Sequence, residues 1–223
     1  RISKSGYKEH HGAYIFNGKQ DEWNKQFLPY GFELQNGVAI ARIPNAEKLF
    51  ACFAAASLVE TADGKLAYGI RTNLVDCYRS MHSLNSGGRF NGSPHKMVEE
   101  LTEDPALLYD HVSGMLKQEY INLVDTDIAY HRLTGLSRSL DDLDLTLCVL
   151  TRVNLPFDKL NEKLNRGKKY DGLKCVPANS DGMTELLESQ EKFPSTIFPT
   201  IVMAAPSYGV DPRQVLPEIK ILD

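Results

Sequence analysis

The sequence contains little that assigns a chemistry at first sight, and its cysteines show this best. The chain of 223 residues has four cysteines, and no two of them form a Cys-x-x-Cys pair. That spacing excludes the usual zinc-ribbon and thioredoxin-like motifs. Three of the four lie in apolar runs, where a reduced thiol behaves as a small core side chain. We therefore expect no disulfide scaffold and a reducing compartment such as the cytoplasm.

A basic excess and a long apolar run are also missing. The formal net charge is −4, which argues against the electrostatic footprint of a protein that binds nucleic acid. No apolar run approaches the roughly 20 residues that a helix needs to span a bilayer. We expect neither nucleic acid nor a membrane as a partner. Hydrophobic residues make up 42% of the chain, which is enough for an ordinary globular core.

Motifs for metal or thiol chemistry are weak. The six histidines form no His-x-x-x-His pair, so we expect no metal and no other cofactor from these residues. The carboxylates of Asp141, Asp142 and Asp144 favour a turn or a helix start over a cation site. Cys77 has His82 five residues further on, which allows a cysteine hydrolase as a minor hypothesis. A buried core cysteine is the simpler interpretation.

The first half of the chain mixes strand and helix patterns. Asn36-Gly37 lies between two alternating apolar runs, a pattern typical of a type I′ turn, and it predicts a β-hairpin over Phe32–Ile43. The run "AEKLFACFAAASLVE" is rich in alanine, leucine and phenylalanine and predicts a buried helix over 46–60. The alternation of Leu66, Tyr68 and Ile70 predicts a strand that ends near Arg71.

The clearest helical pattern begins after "TEDP". Thr102 or Asp104 can cap this helix and Pro105 suits its first turn. Apolar residues then recur at four-residue steps from Leu108 onward. The pattern predicts a helical stretch that continues through "DIAYHRL" and stops at Gly135.

The second half of the chain predicts further strands and helices around a buried core. "LDLTLCVLTRVNL" is typical of a buried strand, "FDKLNEKLN" of a short helix and "YDGLKCVP" of a strand. "SDGMTELLESQEKF" predicts a capped helix and "STIFPTIVMA" a last strand. We expect one compact α+β domain over 1–223, with an N-terminal hairpin, several helices, later buried strands and a proline-rich tail over 205–223.

The glycine-rich stretch "SLNSGGRFNGSPHK" is the most suggestive one. Gly87 and Gly88 permit a close backbone approach, and Arg89 could pair with a phosphate. Because the stretch matches neither the P-loop nor the dinucleotide-binding pattern, a turn is the favoured interpretation and an anion site the alternative.

Three short patches resemble RES-domain toxins, which consume NAD and have a fold related to ADP-ribosyltransferases. "GGRFN" is similar to the Gly-Gly-Arg-aromatic-Asn signature of that family, "YGIR" to its Tyr-x-x-Arg, and "YDGLKCVPANS" to its late strand. The resemblance implies that Arg71 and Arg89, with Gly87 and Gly88, bind the cofactor NAD. It places Tyr109 and Glu119 near the nicotinamide ribose and Ser180 at the edge of the pocket.

The favoured hypothesis on function is nevertheless a non-enzymatic interaction or assembly protein, such as a component of a virion. It rests on the absence of a strong catalytic motif and on an aromatic cluster at Trp23, Phe27 and Tyr30 that suits a protein interface or self-association. The alternative is an NAD-consuming enzyme of the RES or ADP-ribosyltransferase type. Convergence of Arg71, Arg89 and Glu119 on one pocket would favour an enzyme.

Overall fold

The N-terminal hairpin forms as its Asn-Gly pair predicts. The structure is a computed structural model and describes residues 32–35, 38–41, 53–74, 79–84, 86–89, 101, 103–104, 106–138, 145–194 and 196–216. Strands β1 (Phe32–Gln35) and β2 (Val38–Ala41) are antiparallel, with Gln35 opposite Val38. The predicted hairpin over Phe32–Ile43 is confirmed for its described strands, and its turn and last two residues lie outside the described residues. None of the helices in the described ranges has the length and apolar character required to cross a membrane.

The main sheet has seven strands and mixed directions. Its central order is β5-β4-β3-β8-β7, while β6 pairs with β3 and β9 pairs with β4. Strands β3 and β8 run parallel, and the other pairs are antiparallel. The strands are β3 (Phe53–Glu60), β4 (Lys65–Arg71), β5 (His82–Leu84), β6 (Ser86–Arg89), β7 (Ile128–Arg138), β8 (Leu145–Val153) and β9 (Tyr170–Pro177).

Helices cover both faces of this sheet. One face packs against α1 (Ala106–Glu119) and the other against the C-terminal helices, each through its own apolar cluster. The remaining helices are α2 (Phe157–Glu162), α3 (Ser180–Glu188), α4 (Phe198–Ala204) and α5 (Pro212–Val215). The architecture confirms the predicted α+β class.

The proline-punctuated segment after α4 packs on the body of the protein. Ala205, Val210 and Leu216 are all buried in the apolar cluster that includes α3 and α4. Asp211 caps the short helix α5 by accepting a hydrogen bond from the Arg213 N–H. This packing gives the segment up to residue 216 a structural role.

The prediction of a buried helix over 46–60 is wrong for its described part, because 53–60 is the central strand β3. This strand is buried on both faces, with Ala55 and Val59 toward α1 and Ala56 and Leu58 toward the C-terminal helices. A strand buried on both faces shows a continuous apolar run instead of an alternation. Its sequence is therefore hard to distinguish from that of a buried helix.

Three further assignments need correction. The predicted helix through "DIAYHRL" ends at Glu119, and 128–138 is strand β7. The predicted last strand "STIFPTIVMA" contains helix α4, with Pro199 in its first turn. The favoured turn at Gly87, Gly88 and Arg89 is strand β6, which pairs with β3.

Candidate functional site

A β-bulge brings Tyr170 onto the face of the sheet that α1 covers. The register between β4 and β9 shifts after Ile70, so that Arg71 pairs with Tyr170 instead of Asp171. Such a bulge reverses the face to which the following side chains point. Tyr170 is completely buried in the apolar cluster beneath α1 and donates a hydrogen bond to the Leu84 carbonyl at 2.7 Å.

The C-terminal end of α1 places a carboxylate beside this tyrosine. Glu119 accepts a hydrogen bond from the Lys169 ammonium at 3.0 Å, and the two side chains are 16% and 26% exposed. Burial alone would lower the pKa of Lys169, but neighbouring Tyr170 and Glu119 outweigh it and raise that pKa. Lys169 therefore keeps its positive charge at neutral pH.

Two buried polar groups near the ion pair of Lys169 and Glu119 have no hydrogen-bond partner among the described residues. They are the buried Nε of Arg71 and the hydroxyl of Tyr120, whose side chain is completely buried. Burial raises the pKa of Tyr170 most strongly, while the charges of Lys169 and Arg71 act to lower it. We call Arg71, Glu119, Tyr120, Lys169 and Tyr170 the Glu119 cluster.

Leaving polar groups buried and unpaired is costly. A buried donor without a partner loses about 1–3 kcal/mol, and more when it is charged. The cluster combines two cations with one carboxylate, so its formal charge is positive. The adjoining turn adds the exposed basic side chains of Arg166 and Lys168. An anion is the ligand that would match these donors.

A second polar arrangement crosses the same face of the sheet further along α1. Ser113 on α1 lies 2.8 Å from Nε2 of His131 on β7, and Nδ1 of His131 lies 2.8 Å from the Thr151 hydroxyl on β8. The Thr151 hydroxyl lies 2.6 Å from that of Ser57 on β3, which in turn donates to the Leu58 carbonyl over a long 3.4 Å. We call Ser113, His131, Thr151 and Ser57 the hydroxyl relay.

One of the two directions open to the relay leaves Nε2 of His131 as an acceptor. The Leu58 carbonyl can only accept, so a Ser57 hydroxyl that donates to it accepts from Thr151. Thr151 has then used its one proton, and Nδ1–H of His131 donates to it. Nε2 of His131 is left as an acceptor for the Ser113 hydroxyl. Burial lowers the pKa of His131, and Asp110 acts against this; the net lowering favours the neutral imidazole that this direction requires.

The ring of Tyr109 covers His131. The two rings are stacked with their centroids 5.8 Å apart and their planes 7° apart. Tyr109 therefore belongs to the relay end of α1. Ten residues separate it from Glu119, which corresponds to about 15 Å along a helix.

The structure brings some of the residues named from the sequence together and separates others. Arg71 and Glu119 both lie beside Tyr170. Ser180 is exposed at the start of α3, whose buried residues pack on the opposite face of the sheet. The backbones of Gly87, Gly88 and Arg89 pair with β3.

Several other named residues lie outside the described residues. These are the interface candidates Trp23, Phe27 and Tyr30, and the thiol candidate Cys77. The interface therefore stays a prediction. His82, the suggested base for Cys77, lies on the opposite face of the sheet between the rings of Tyr68 and Phe193.

The sequence interpretation missed most members of both arrangements. The basic cluster at Arg166–Tyr170, which contains Lys169, has the composition of a solvated turn, and Tyr120 fits the apolar four-residue steps of α1. The alternation in "AYHRL" is the one signal that would have placed His131 on a strand face. The 94 residues between Ser57 and Thr151 leave no local pattern for the relay.

Comparison with solved structures finds several chains that are similar to this one. The chain is similar to DR0079 from Deinococcus radiodurans, with 11% identity, a TM-score of 0.46 and coverage of 73% of this chain and 88% of that one. It is similar to a NUDIX hydrolase from Nitrosomonas europaea, with 12% identity, a TM-score of 0.45 and coverage of 71% and 90%.

A third similar structure is a bifunctional NMN adenylyltransferase/ADP ribose pyrophosphatase from Francisella tularensis, complexed with AMP and a manganese ion. Its sequence is 11% identical to this chain and the TM-score is 0.44. The match covers 71% of this chain and 42% of the Francisella chain. No protein-family model matches the chain, and no curated protein matches it either.

These comparisons overturn the two functions expected from the sequence. The hypothesis of a non-enzymatic assembly or virion protein is wrong, because the similar structures include a hydrolase and a pyrophosphatase, which are enzymes. The alternative of an NAD-consuming toxin-like enzyme finds no support in them. The TM-scores stay below 0.5, so these likenesses assign no reaction to this chain.

The described residues do not fit a divalent cation of the kind that the Francisella structure contains. Within the described ranges, no group of three or more His, Cys, Asp or Glu side chains is placed to hold a metal ion. The carboxylate of Glu119 is already paired with Lys169. Asp125 and Asp127 pair with Lys117 and Lys163.

Proposed function

We propose that the chain is a hydrolase of phosphoric anhydrides and that the Glu119 cluster is its active site. The observation that carries the proposal is the convergence of Arg71, Lys169 and Glu119 around Tyr170, with a buried Arg71 Nε and a buried Tyr120 hydroxyl left without partners in the described structure. Donors of this kind are suited to the oxygens of a phosphate group.

Each member has a distinct task in the proposed reaction. Arg71 and Lys169 bind the non-bridging oxygens and stabilise the charge that develops on them. Glu119, held in place by Lys169, accepts the proton of the attacking water. A P–O bond forms to this water while the bridging P–O bond breaks, and the leaving phosphate departs with its oxygen. The Tyr120 hydroxyl donates to a phosphate oxygen and thereby gains the partner that it lacks.

The bulge at Arg71 explains how the fold prepares this site. Without the shift in register, Tyr170 would point to the opposite face of the sheet and leave a gap below Glu119. The hydrogen bond from Tyr170 to the Leu84 carbonyl then fixes its ring. Bulges are frequently found next to active sites, where they change the direction of a side chain.

Cleavage of pyrophosphate compounds, followed by chromatographic separation of the two phosphate products, tests the proposal. ADP-ribose, which the name of one similar structure contains, serves as the first substrate, followed by inorganic pyrophosphate and nucleoside triphosphates, each with and without added Mg²⁺. We expect turnover by the native chain. Glu119→Gln should lower kcat by about 10²-fold or more, since a positioned proton acceptor contributes roughly that factor.

A matched variant controls for changes in surface charge. Glu162 is an exposed carboxylate on α2 that pairs with Lys159, and Glu162→Gln should leave kcat unchanged. Arg71→Gln should raise KM by roughly 10-fold or more, because a charge-assisted hydrogen bond contributes about 1.5–3 kcal/mol. Absence of turnover on every substrate, or equal activity of the Glu119→Gln and native chains, would refute the proposal.

A further inference from the structure

The hydroxyl relay is not used by the proposed phosphate chemistry, although it lies on the same face of the sheet. Six residues separate Ser113 from Glu119 on α1, which corresponds to about 9 Å along the helix. Ser113 is partly exposed, whereas Thr151 and Ser57 are completely buried. The relay therefore runs from a surface hydroxyl into the core.

The relay has the geometry of an activated nucleophile. A hydroxyl and a base within hydrogen-bond reach, with the base oriented by a third group, are the general signature of nucleophilic catalysis. Ser113, His131 and Thr151 have these relations at 2.8 Å each. When the Ser57 hydroxyl donates to the Leu58 carbonyl, the Ser113 proton is directed to Nε2 of His131. The stacked Tyr109 ring fixes the imidazole from one side.

An apolar surface continues from the relay along β7. Leu133 pairs with Val149 and Leu136 with Leu147, and a bulge between Leu133 and Gly135 keeps both leucines on the face that carries His131. They are 45% and 51% exposed. His131 and Leu133 are two strand positions apart, about 7 Å. We call Leu133 and Leu136 the leucine ledge.

We propose that Ser113 is the nucleophile of a second hydrolytic centre, which cleaves carboxylic esters whose acyl chain lies on the leucine ledge. The Ser113 oxygen attacks the ester carbonyl and passes its proton to Nε2 of His131. The C–O bond to the alcohol breaks, and the alcohol leaves with that proton. Water then forms a new C–O bond to the acyl carbon and gives one proton to Nε2 of His131. The bond from this carbon to the Ser113 oxygen breaks, His131 returns the proton to that oxygen, and the carboxylic acid leaves.

Labelling of the full chain with a fluorophosphonate probe tests the nucleophile directly. Mass spectrometry should find the label on Ser113, and His131→Gln should slow labelling at least 10-fold. Ser207, an exposed serine that accepts a hydrogen bond from Arg132, provides the control, and Ser207→Ala should label at the native rate. Circular dichroism of each variant shows whether it is folded.

Hydrolysis of p-nitrophenyl esters tests the acyl class. The native chain should cleave the butyrate ester faster than the acetate ester, and Leu133→Ser with Leu136→Ser should reduce this preference at least 3-fold. A label on another residue, labelling that His131→Gln does not slow, or no label above the level of the denatured chain would overturn the proposal. Equal rates on both esters would overturn the role of the leucine ledge.

Discussion

The replacement Thr151→Val removes the central hydroxyl of the relay while keeping the branched shape of the side chain. Thr151 is completely buried and bonds both Nδ1 of His131 and the Ser57 hydroxyl. Each of these hydrogen bonds contributes about 1 kcal/mol net, and a buried donor left unpaired costs about 1–3 kcal/mol. The direction of the relay predicts that Nδ1–H of His131 becomes this unpaired donor. We expect the free energy of unfolding to fall by about 2–3 kcal/mol.

Urea denaturation followed by far-ultraviolet circular dichroism measures this loss. Thr134→Val is the matched control, because Thr134 lies on β7 and makes a single, partly buried hydrogen bond to the Cys148 carbonyl. The free energy of unfolding of Thr134→Val should be lower than that of the native chain by about 1 kcal/mol. If Thr151→Val destabilises the protein no more than Thr134→Val does, the relay is not a buried hydrogen-bonded chain, and the argument for its direction fails.

Three further predictions concern stability. The largest influence on the pKa of Asp63 is burial, which raises it, but hydrogen bonds from Thr61, Lys65 and the Phe157 N–H together lower it to about 2. A carboxylate with a lowered pKa stabilises the fold above pH 4 and loses this effect as the pH falls toward 2. With a discount for the exposure of the side chain, Asp63→Asn should lower the free energy of unfolding by about 1–2 kcal/mol at pH 7 and by much less at pH 2.5, as measured by urea titration. An equal loss at both pH values would contradict this. Tyr120→Phe removes a buried hydroxyl that has no partner among the described residues, so the melting temperature of this variant should equal or exceed that of the native chain. The affinity of the variant for pyrophosphate, measured by calorimetry, should fall. A clear loss of stability would show that the hydroxyl has a protein partner. A Cβ at Gly135 would lie 2.8 Å from the Met203 sulfur, so Gly135→Ala should cost about 1–3 kcal/mol, and an unchanged melting temperature would show that α4 moves freely away from β7.

Local turn and cap signals in the sequence predicted the elements that depend on few residues. The Asn-Gly pair predicted the pairing of β1 with β2, because both residue types readily adopt the positive φ that a two-residue hairpin turn requires. Helix α1 was predicted from its apolar four-residue steps. These patterns work because the interaction partners are near in sequence.

The errors occurred where long-range packing decides the conformation. Residues 53–60 carry the composition of a buried helix, yet their position between β6 and β8 makes them a strand. The opposite error occurred at 198–204, where the apolar run packs as a helix on the sheet. The intrinsic preference of the residues for helix or strand is weak in both cases, and tertiary contacts override it.

The candidate site was predictable only in part. Arg71 and Glu119 were named from a family resemblance that the comparisons do not support. The feature that brings them together is the bulge opposite Arg71, which depends on the pairing of strands almost a hundred residues apart. No local pattern in the sequence signals such a pairing.

A crystal structure of the chain with bound pyrophosphate would test the central claim most directly. The account predicts a phosphate oxygen within about 2.7–3.2 Å of Arg71 Nε and of the Tyr120 hydroxyl, with Lys169 still bonded to Glu119. Pyrophosphate bound elsewhere, with Arg71 Nε and the Tyr120 hydroxyl paired to groups of the protein itself, would contradict it.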